Sequence, residues 1–238
     1  MIDRDAGVVR SSSESTTGPR LVSVNVSRPL VIGSVRGKPV LSGIAKTSVG
    51  DAELFLSEIN LEGDDQADRR VHGGPDKAVY AYSSEHLPNW TRELGRHVGP
   101  GSFGENLTTA KVLETDAYIG DIWTWGDAIL QVCQPRYPCF KLAMILDRPD
   151  IIKTFLASAR SGWYLRVLQA GRVSVTATIA VTERNSSAVT VHAASRAILP
   201  ESTGTPAELE AMIALEPLAE SWKVGIRHRL ELLRHRTL

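Results

Sequence analysis

Short runs of alternating apolar and polar positions recur from residue 21 to about residue 181, broken by Gly, Pro and Asp. Leu21–Val26, Leu41–Ala45, Ala78–Tyr82 and Val173–Ile179 all alternate with period two. That period marks a strand with unlike faces. Asp121–Trp125 and Ala128–Val132 flank Gly126-Asp127, a two-residue hairpin signal. Many strands at short spacing predict a closed barrel. Helical periodicity interrupts the pattern twice. One helix is expected over about Ser84–Leu94. Another starts at Asp150, read as its N-cap, with Ile151, Ile152, Phe155 and Leu156 on one face.

After residue 183 the period changes. Thr190–Leu199 reads as a helix. Thr205-Pro206-Ala207-Glu208 matches a capping box with proline at the first helical position. It leads a helix bearing Leu209, Met212 and Ile213. Ser221 starts a third, with Trp222, Ile226, Leu230 and Leu233 at helical spacing. The fold class is therefore mainly β with α: a β-barrel with flanking helices plus a small C-terminal three-helix module. The expected organisation is an arm over 1–20, a barrel domain over 21–183 and the helical module over 184–238.

Composition narrows the class. The chain has 238 residues, 42% hydrophobic and 23% charged, as a soluble globular protein has. Its 27 basic and 27 acidic residues cancel, which argues against bulk attraction to nucleic acid or membrane. No apolar run is long enough to cross a bilayer. The first twenty residues carry Asp3, Asp5 and Glu14 without an apolar core, so they do not read as a secretory signal. Ser11–Gly18 is a polar tract expected to be disordered. Two cysteines, Cys133 and Cys139, form no disulfide framework and no CxxC motif, and the expected setting is cytoplasmic.

Candidate chemistry concentrates in Gln134-Pro135-Arg136-Tyr137-Pro138-Cys139-Phe140-Lys141-Leu142. It follows Ile129–Cys133, a run that reads as a strand. Each proline fixes its own φ and pushes the preceding residue toward extended geometry, so Cys139 sits on a stiff turn. Arg136 and Lys141 flank it, and neighbouring cations favour a reactive sulfur. If Cys139 opens Phe140–Leu146 as a helix, the helix N-terminus acts in the same sense. Cys139 is thus a candidate nucleophile or metal ligand, set against the bland alternative of a small buried hydrophobe. Asp68–Lys77 carries Arg69, Arg70, His72, Gly73, Gly74 and Lys77 around a turn, a composition that suits anion binding. Gly101–Thr109 carries Glu105, able to shuttle a proton, and Asn106, able to donate to an anion or heterocycle. Lys46 adds a cation after Leu41–Ala45. Gly162–Arg166 adds Trp163, read as core, with Tyr164 and Arg166. His72, His86, His97 and His192 are too scattered for a zinc signature, and neither a GxGxxG nor a Walker loop occurs. A Cys139–His72 nucleophile pair stays open. Arg227, His228, Arg229, Arg234, His235 and Arg236 make a basic tail, which keeps a helix-turn-helix reading on the table.

Taken in order, Leu61–Asp68, Val71–Ala78, Phe103–Thr108, Gly120–Ile122 and Gln134–Leu142 resemble the motifs of the MOSC domain, more narrowly its YiiM-type branch. The resemblance implies a β-barrel binding the molybdenum cofactor, a pterin with a phosphate and a dithiolene-held molybdenum, with no role for pyridoxal phosphate. It implies that Cys139 is the metal ligand. Lys46, Arg70, Lys77, Arg136 and Lys141 become candidates to neutralise the cofactor's phosphate and oxo charge. His72, Gly73, Gly74 and Asn106 become candidates to bind pterin or phosphate. The implied activity is reduction of N-hydroxylated compounds such as hydroxylaminopurine-like bases and amidoximes, N–OH to N–H plus water. Electrons would come from a separate NAD(P)H-dependent flavoprotein, and His72 or Glu105 would supply the proton. The alternative is a non-catalytic cofactor carrier. No membrane or nucleic-acid partner is expected, and a homodimer stays open.

Overall fold

The computed structural model describes residues 18–68, 72–186 and 189–236. The arm expected over 1–20 therefore lies outside the described residues except for its last three. Arg20 already begins β1 (Arg20–Val26). β2 (Leu30–Val35) and β3 (Lys38–Ser42) form a separate hairpin, followed by β4 (Thr47–Ser48) and β5 (Leu54–Leu56). A 3-10 turn (Pro75–Lys77) leads into β6 (Val79–Ser83), and a second (Ser84–His86) into α1 (Leu87–Leu94). Then come β7 (Leu107–Ala110), β8 (Ile122–Trp125) and β9 (Ala128–Pro135). α2 (Phe140–Leu146) and α3 (Ile151–Ser158) precede β10 (Trp163–Gln169), β11 (Gly171–Val173) and β12 (Ile179–Glu183). Three C-terminal helices follow: α4 (Val191–Ala197), α5 (Pro206–Ala214) and α6 (Glu220–Arg236).

Eight strands make one sheet in the order β12-β8-β9-β10-β6-β7-β1-β4. All its pairs are antiparallel except β6–β7. The sheet curls into a half-barrel, bringing β12 against β1 by packing. The predicted closure is thus not a hydrogen-bonded ring, and β12 and β4 stay edges. The alternation of β6 explains how one strand serves two cores. Val79 and Ala81 point into the barrel cluster with Trp123, Trp125 and Trp163. Tyr80 and Tyr82 point the other way, into a cluster with Trp90, Phe103 and Phe155. Side chains one apart leave a strand on opposite faces, so neither face of β6 meets water.

Three local expectations are corrected. Val173–Ile179 is not one strand. The Ser174 hydroxyl accepts from Ala177 N at 3.1 Å, and a turn separates β11 from β12. Ser and Thr hydroxyls compete with the ladder in this way. The run Leu41–Ala45 ends as a strand at Ser42, because Gly43 packs backbone to backbone against Asp65. Asp150 precedes α3 as expected, but its carboxylate pairs with Arg148 and does not cap the helix. The capping box at Thr205 and Glu208 forms as predicted.

Candidate functional site

Where β9 ends, Pro135-Arg136-Tyr137-Pro138 carries the chain to Cys139, the extended N-cap of α2. Arg136 and Lys141 are buried, while Tyr137 and Phe140 are more than half exposed. Cys139, Arg136, Tyr137 and Lys141 line one wall of a cavity of about 650 Å³, its open mouth included. The second wall is Ser42–Ile44 and Lys46, after β3. The third comprises Asp64–Ala67, His72 and Lys77. Tyr80, Tyr164, Gly104 and Asn106 complete it. Glycines lock these walls together. A Cβ on Gly43 would lie 2.2 Å from the Asp65 carbonyl oxygen, and one on Gly101 (φ +81) 2.6 Å from that of Lys46.

Much of the polar lining is already committed. Lys46 forms a buried ion pair with Asp64. Burial pushes the Lys46 pKa down, and the Asp64 charge opposes that. Asp64 also accepts from Ser27 N at 2.8 Å and from Asn106 Nδ2 at 3.0 Å. Asn106 donates in addition to Asn25 O at 3.2 Å, and its Oδ1 accepts from Tyr80 N at 3.1 Å. Both Asn106 donors are thus engaged within the protein, so its amide ties β1, β6 and the Asp64 loop together. Glu105 is fully buried and is not part of the lining. Its oxygens accept from Gly101 N (2.6 Å), Phe103 N (3.0 Å) and Thr108 Oγ1 (2.9 Å). Burial raises its pKa, which those donors oppose. Glu105, expected as a proton shuttle, thus holds the 101–108 loop from behind the cavity lining.

Three groups remain available. Arg136 lies 4.9 Å from the Tyr80 ring centroid and 5.5 Å from that of Phe155, with Nη1 3.5 Å from Tyr80 Oη. Neither it nor Lys141 has a carboxylate partner among the described residues. His72 Nδ1 is buried with no hydrogen-bond partner. Burial, then Lys141 and Lys77, hold the His72 pKa below its ordinary value. A buried cation is costly unless compensated, so this lining calls for an anion.

Of the expected site residues, Cys139, His72, Lys46, Lys77, Asn106, Arg136 and Lys141 share the cavity. Gly73 and Gly74 do not line it. Gly74 takes φ +93 to enter the 3-10 turn, and its carbonyl accepts from Lys77 N at 2.9 Å. Arg70 lies outside the described residues. Arg166 pairs with Asp76 at 2.7 Å, away from the lining. Cys133 is structural: it donates to the Asp76 and Tyr164 carbonyls, and burial pushes its thiol up to about 12. Asp64 and Tyr80 were missed as site residues, and Tyr164 was noted only within the aromatic pair of Gly162–Arg166. The acidic run Gly63-Asp64-Asp65 was the signal for the first; Tyr80 sits within a strand and gives none. Arg227 and Arg234 pair with Glu220 and Glu210, and Arg229 is buried on the Pro200 and Ser202 carbonyls, so half the basic tail is occupied.

Comparison with known proteins gives four findings. The MOSC domain family model matches residues 68–180. Protein YiiM of Escherichia coli (strain K12) is 41% identical over 197 residues, covering 81% of this chain and 85% of that protein. The crystal structure of YiiM from Geobacillus stearothermophilus superposes with a TM-score of 0.74 at 32% identity, covering 89% of this chain and 99% of that one. A Gibberella moniliformis protein described as a reductase is 36% identical over 152 residues, which is 62% of this chain and 27% of that protein.

Proposed function

The chain belongs to the MOSC domain family, in its YiiM-type branch, and from that membership we propose that it is a molybdenum-cofactor-dependent reductase of N-hydroxylated compounds. The single observation that carries the reading is a soft thiol, Cys139, in the same cavity as Arg136 and Lys141, two buried cations that lack carboxylate partners among the described residues. The donor set fits the cofactor. Among the described residues no group of three or more His, Cys, Asp and Glu could hold a metal ion. A metal at Cys139 would therefore bring most of its ligands with it, as a dithiolene-held molybdenum does. Soft thiolate ligation suits such a centre. Arg136 and Lys141 would meet its anionic groups, and the orphaned His72 Nδ1 would take a hydrogen bond.

When bound, the cofactor supplies a two-electron redox centre. The balanced reaction is R–NHOH + 2e⁻ + 2H⁺ → R–NH₂ + H₂O, with the electrons drawn from a separate flavoprotein. Tyr80, Tyr164 and Arg136 pack together in the lining, the two rings 5.1 Å apart and Arg136 4.9 Å from the Tyr80 centroid. The chain's own proton source is assigned to His72, the cavity's imidazole, because the Glu105 oxygens are occupied by backbone and hydroxyl donors. The reductase-described relative supports redox activity only in that coarse sense.

The test uses protein from a cofactor-competent host. Wild type should carry molybdenum and pterin, and convert hydroxylaminopurine to the amine when given reduced viologen. Cys139→Ser should lose metal and turnover by at least about tenfold, whereas Cys133→Ser should keep both. Equal rates for wild type and Cys139→Ser would overturn the assignment. Full loading with no turnover under any reductant would instead establish the carrier role.

A further inference from the structure

The β2–β3 hairpin stands outside the main sheet and is seated on α2, the helix that Cys139 caps. The contact is close: a Cβ on Gly33 would lie 2.5 Å from Met144 Cε. Met144 is five residues from Cys139, about 7.5 Å along the helix axis. From β3 the chain runs directly into Ser42–Ile44, a wall of the cavity. Apolar side chains are exposed on both faces of the hairpin. Val31 and Leu41, cross-strand partners on the face turned away from Gly33 and α2, are 63% and 48% exposed, and Leu30, paired with Ser42 on the α2 face, is 58% exposed. Val35, on that α2 face, and Phe140 of α2 are also exposed. Arg28, Arg36 and Lys38 are exposed around the hairpin, and no Asp or Glu occurs between residues 27 and 50. The turn is stiff: Arg36 and Gly37 both take positive φ (50 and 74), the geometry that matches the twist of a two-residue hairpin.

An exposed apolar patch with a single-sign cationic rim marks an interaction surface. We propose that this hairpin is the docking face for an acidic electron-donating flavoprotein. Two observations choose that occupant over a second copy of the chain. In a two-fold contact each patch meets itself, so Arg28, Arg36 and Lys38 would face their own like charges. Five half-exposed apolar side chains also offer on the order of a few hundred Å², whereas a stable interface buries about 800 Å² per partner; transient redox encounters are the smaller class. The seat on α2 places a docked donor beside the helix that starts at Cys139. The identity of the partner as an electron donor rests on the reductase reading.

The experiment measures binding and turnover separately. Isotope-labelled full chain is titrated with a flavodoxin, a small acidic flavoprotein, at low and high salt. Amide perturbations should map to residues 30–42 and the start of α2, and affinity should fall with salt. Arg36→Glu/Lys38→Glu should weaken it at least about tenfold; Leu41→Asp, on the face turned away from α2, should do the same. Neither variant should change viologen-driven turnover of the loaded protein by more than about twofold. Loss of binding with viologen turnover retained supports the docking face. Binding that maps elsewhere, no binding at low salt, or wild-type dimers that Leu41→Asp dissociates would overturn it. Normal docking with no turnover from either reductant keeps the surface and rejects the reductase reading, so the two failures are distinct.

Discussion

At the scale of single residues, the cavity separates charges that are settled from charges that are waiting. Lys46 is settled by Asp64, and removing one partner of a buried pair leaves an uncompensated charge. Asp64→Asn should therefore cost about 3–5 kcal/mol by urea unfolding. Lys46→Met added to it should recover part of the loss, and strict additivity would show the pair to be uncoupled. His72 is waiting. Its pKa is held below the ordinary 6.5 by burial and by Lys141 and Lys77. As pH falls through 6.5, the unfolded chain takes up the proton before the folded one, so this group's contribution to stability is lost between 6.5 and the folded value. Above 6.5 both states are neutral and the dependence vanishes. An anion in the cavity reverses the field. The His72 ring resonance should titrate at higher pH with inorganic phosphate present than without it, and an unchanged titration would show that phosphate does not reach His72. The cations and Cys139 were legible because charge and thiol chemistry are properties of the residue type. The status of Asn106 and Glu105 was not, because a polar side chain becomes structural through partners brought from strands far away in sequence.

At the scale of elements, period two and turn chemistry carried most of the fold. The β8–β9 hairpin at Gly126-Asp127, the capping box at Thr205 and the helix opened by Cys139 all form from local signals. The misreadings lie where a tertiary contact overrides the local pattern. At Gly43 the alternating run stops because the backbone must pass Asp65 without a side chain between them. Even one added methyl group would push two walls of the cavity apart. Gly43→Ala should destabilise by about 1–3 kcal/mol, the usual range for overpacking. At this size that lowers Tm by about 2–4 °C per kcal/mol. The same substitution at Gly37, where nothing lies within 4 Å of an added Cβ, carries only the strain of its positive φ. A melt in which Gly43→Ala equals wild type would show that the 43–46 and 64–66 walls move apart freely.

At the scale of the whole molecule, the C-terminal helices bear on the site although none lines the cavity. Trp222, Ile226 and Leu230 of α6, Leu209 of α5 and Val191 and Ala194 of α4 belong to the same buried cluster as Trp123, Leu130 and Val132 of the barrel. Backbone bonds stitch the join: Val191 N donates to Ala117 O at 2.8 Å, and Ala219 N to Cys133 O at 2.9 Å. The Ser221 hydroxyl donates to Gln134 Oε1 at 2.8 Å. Cys133 and Gln134 are the last residues of β9 before Pro135, so the start of α6 grips the strand immediately before it delivers Arg136 and Cys139. A shared core of this kind predicts one cooperative unfolding transition, not one for the barrel and another for a separate helical module. Calorimetry should give equal calorimetric and van't Hoff enthalpies. Trp222→Ala should cost about 3–5 kcal/mol as a large core truncation. Ser221→Ala makes a finer separation. It removes one hydrogen bond and should cost only about 1 kcal/mol, yet it frees the end of β9. If α6 positions the Cys139 turn and the proposed cofactor is held there, this variant should lose molybdenum faster than wild type under a chelator while remaining folded. Two separate transitions, with metal retention indifferent to Ser221, would make the helices an independent appendage.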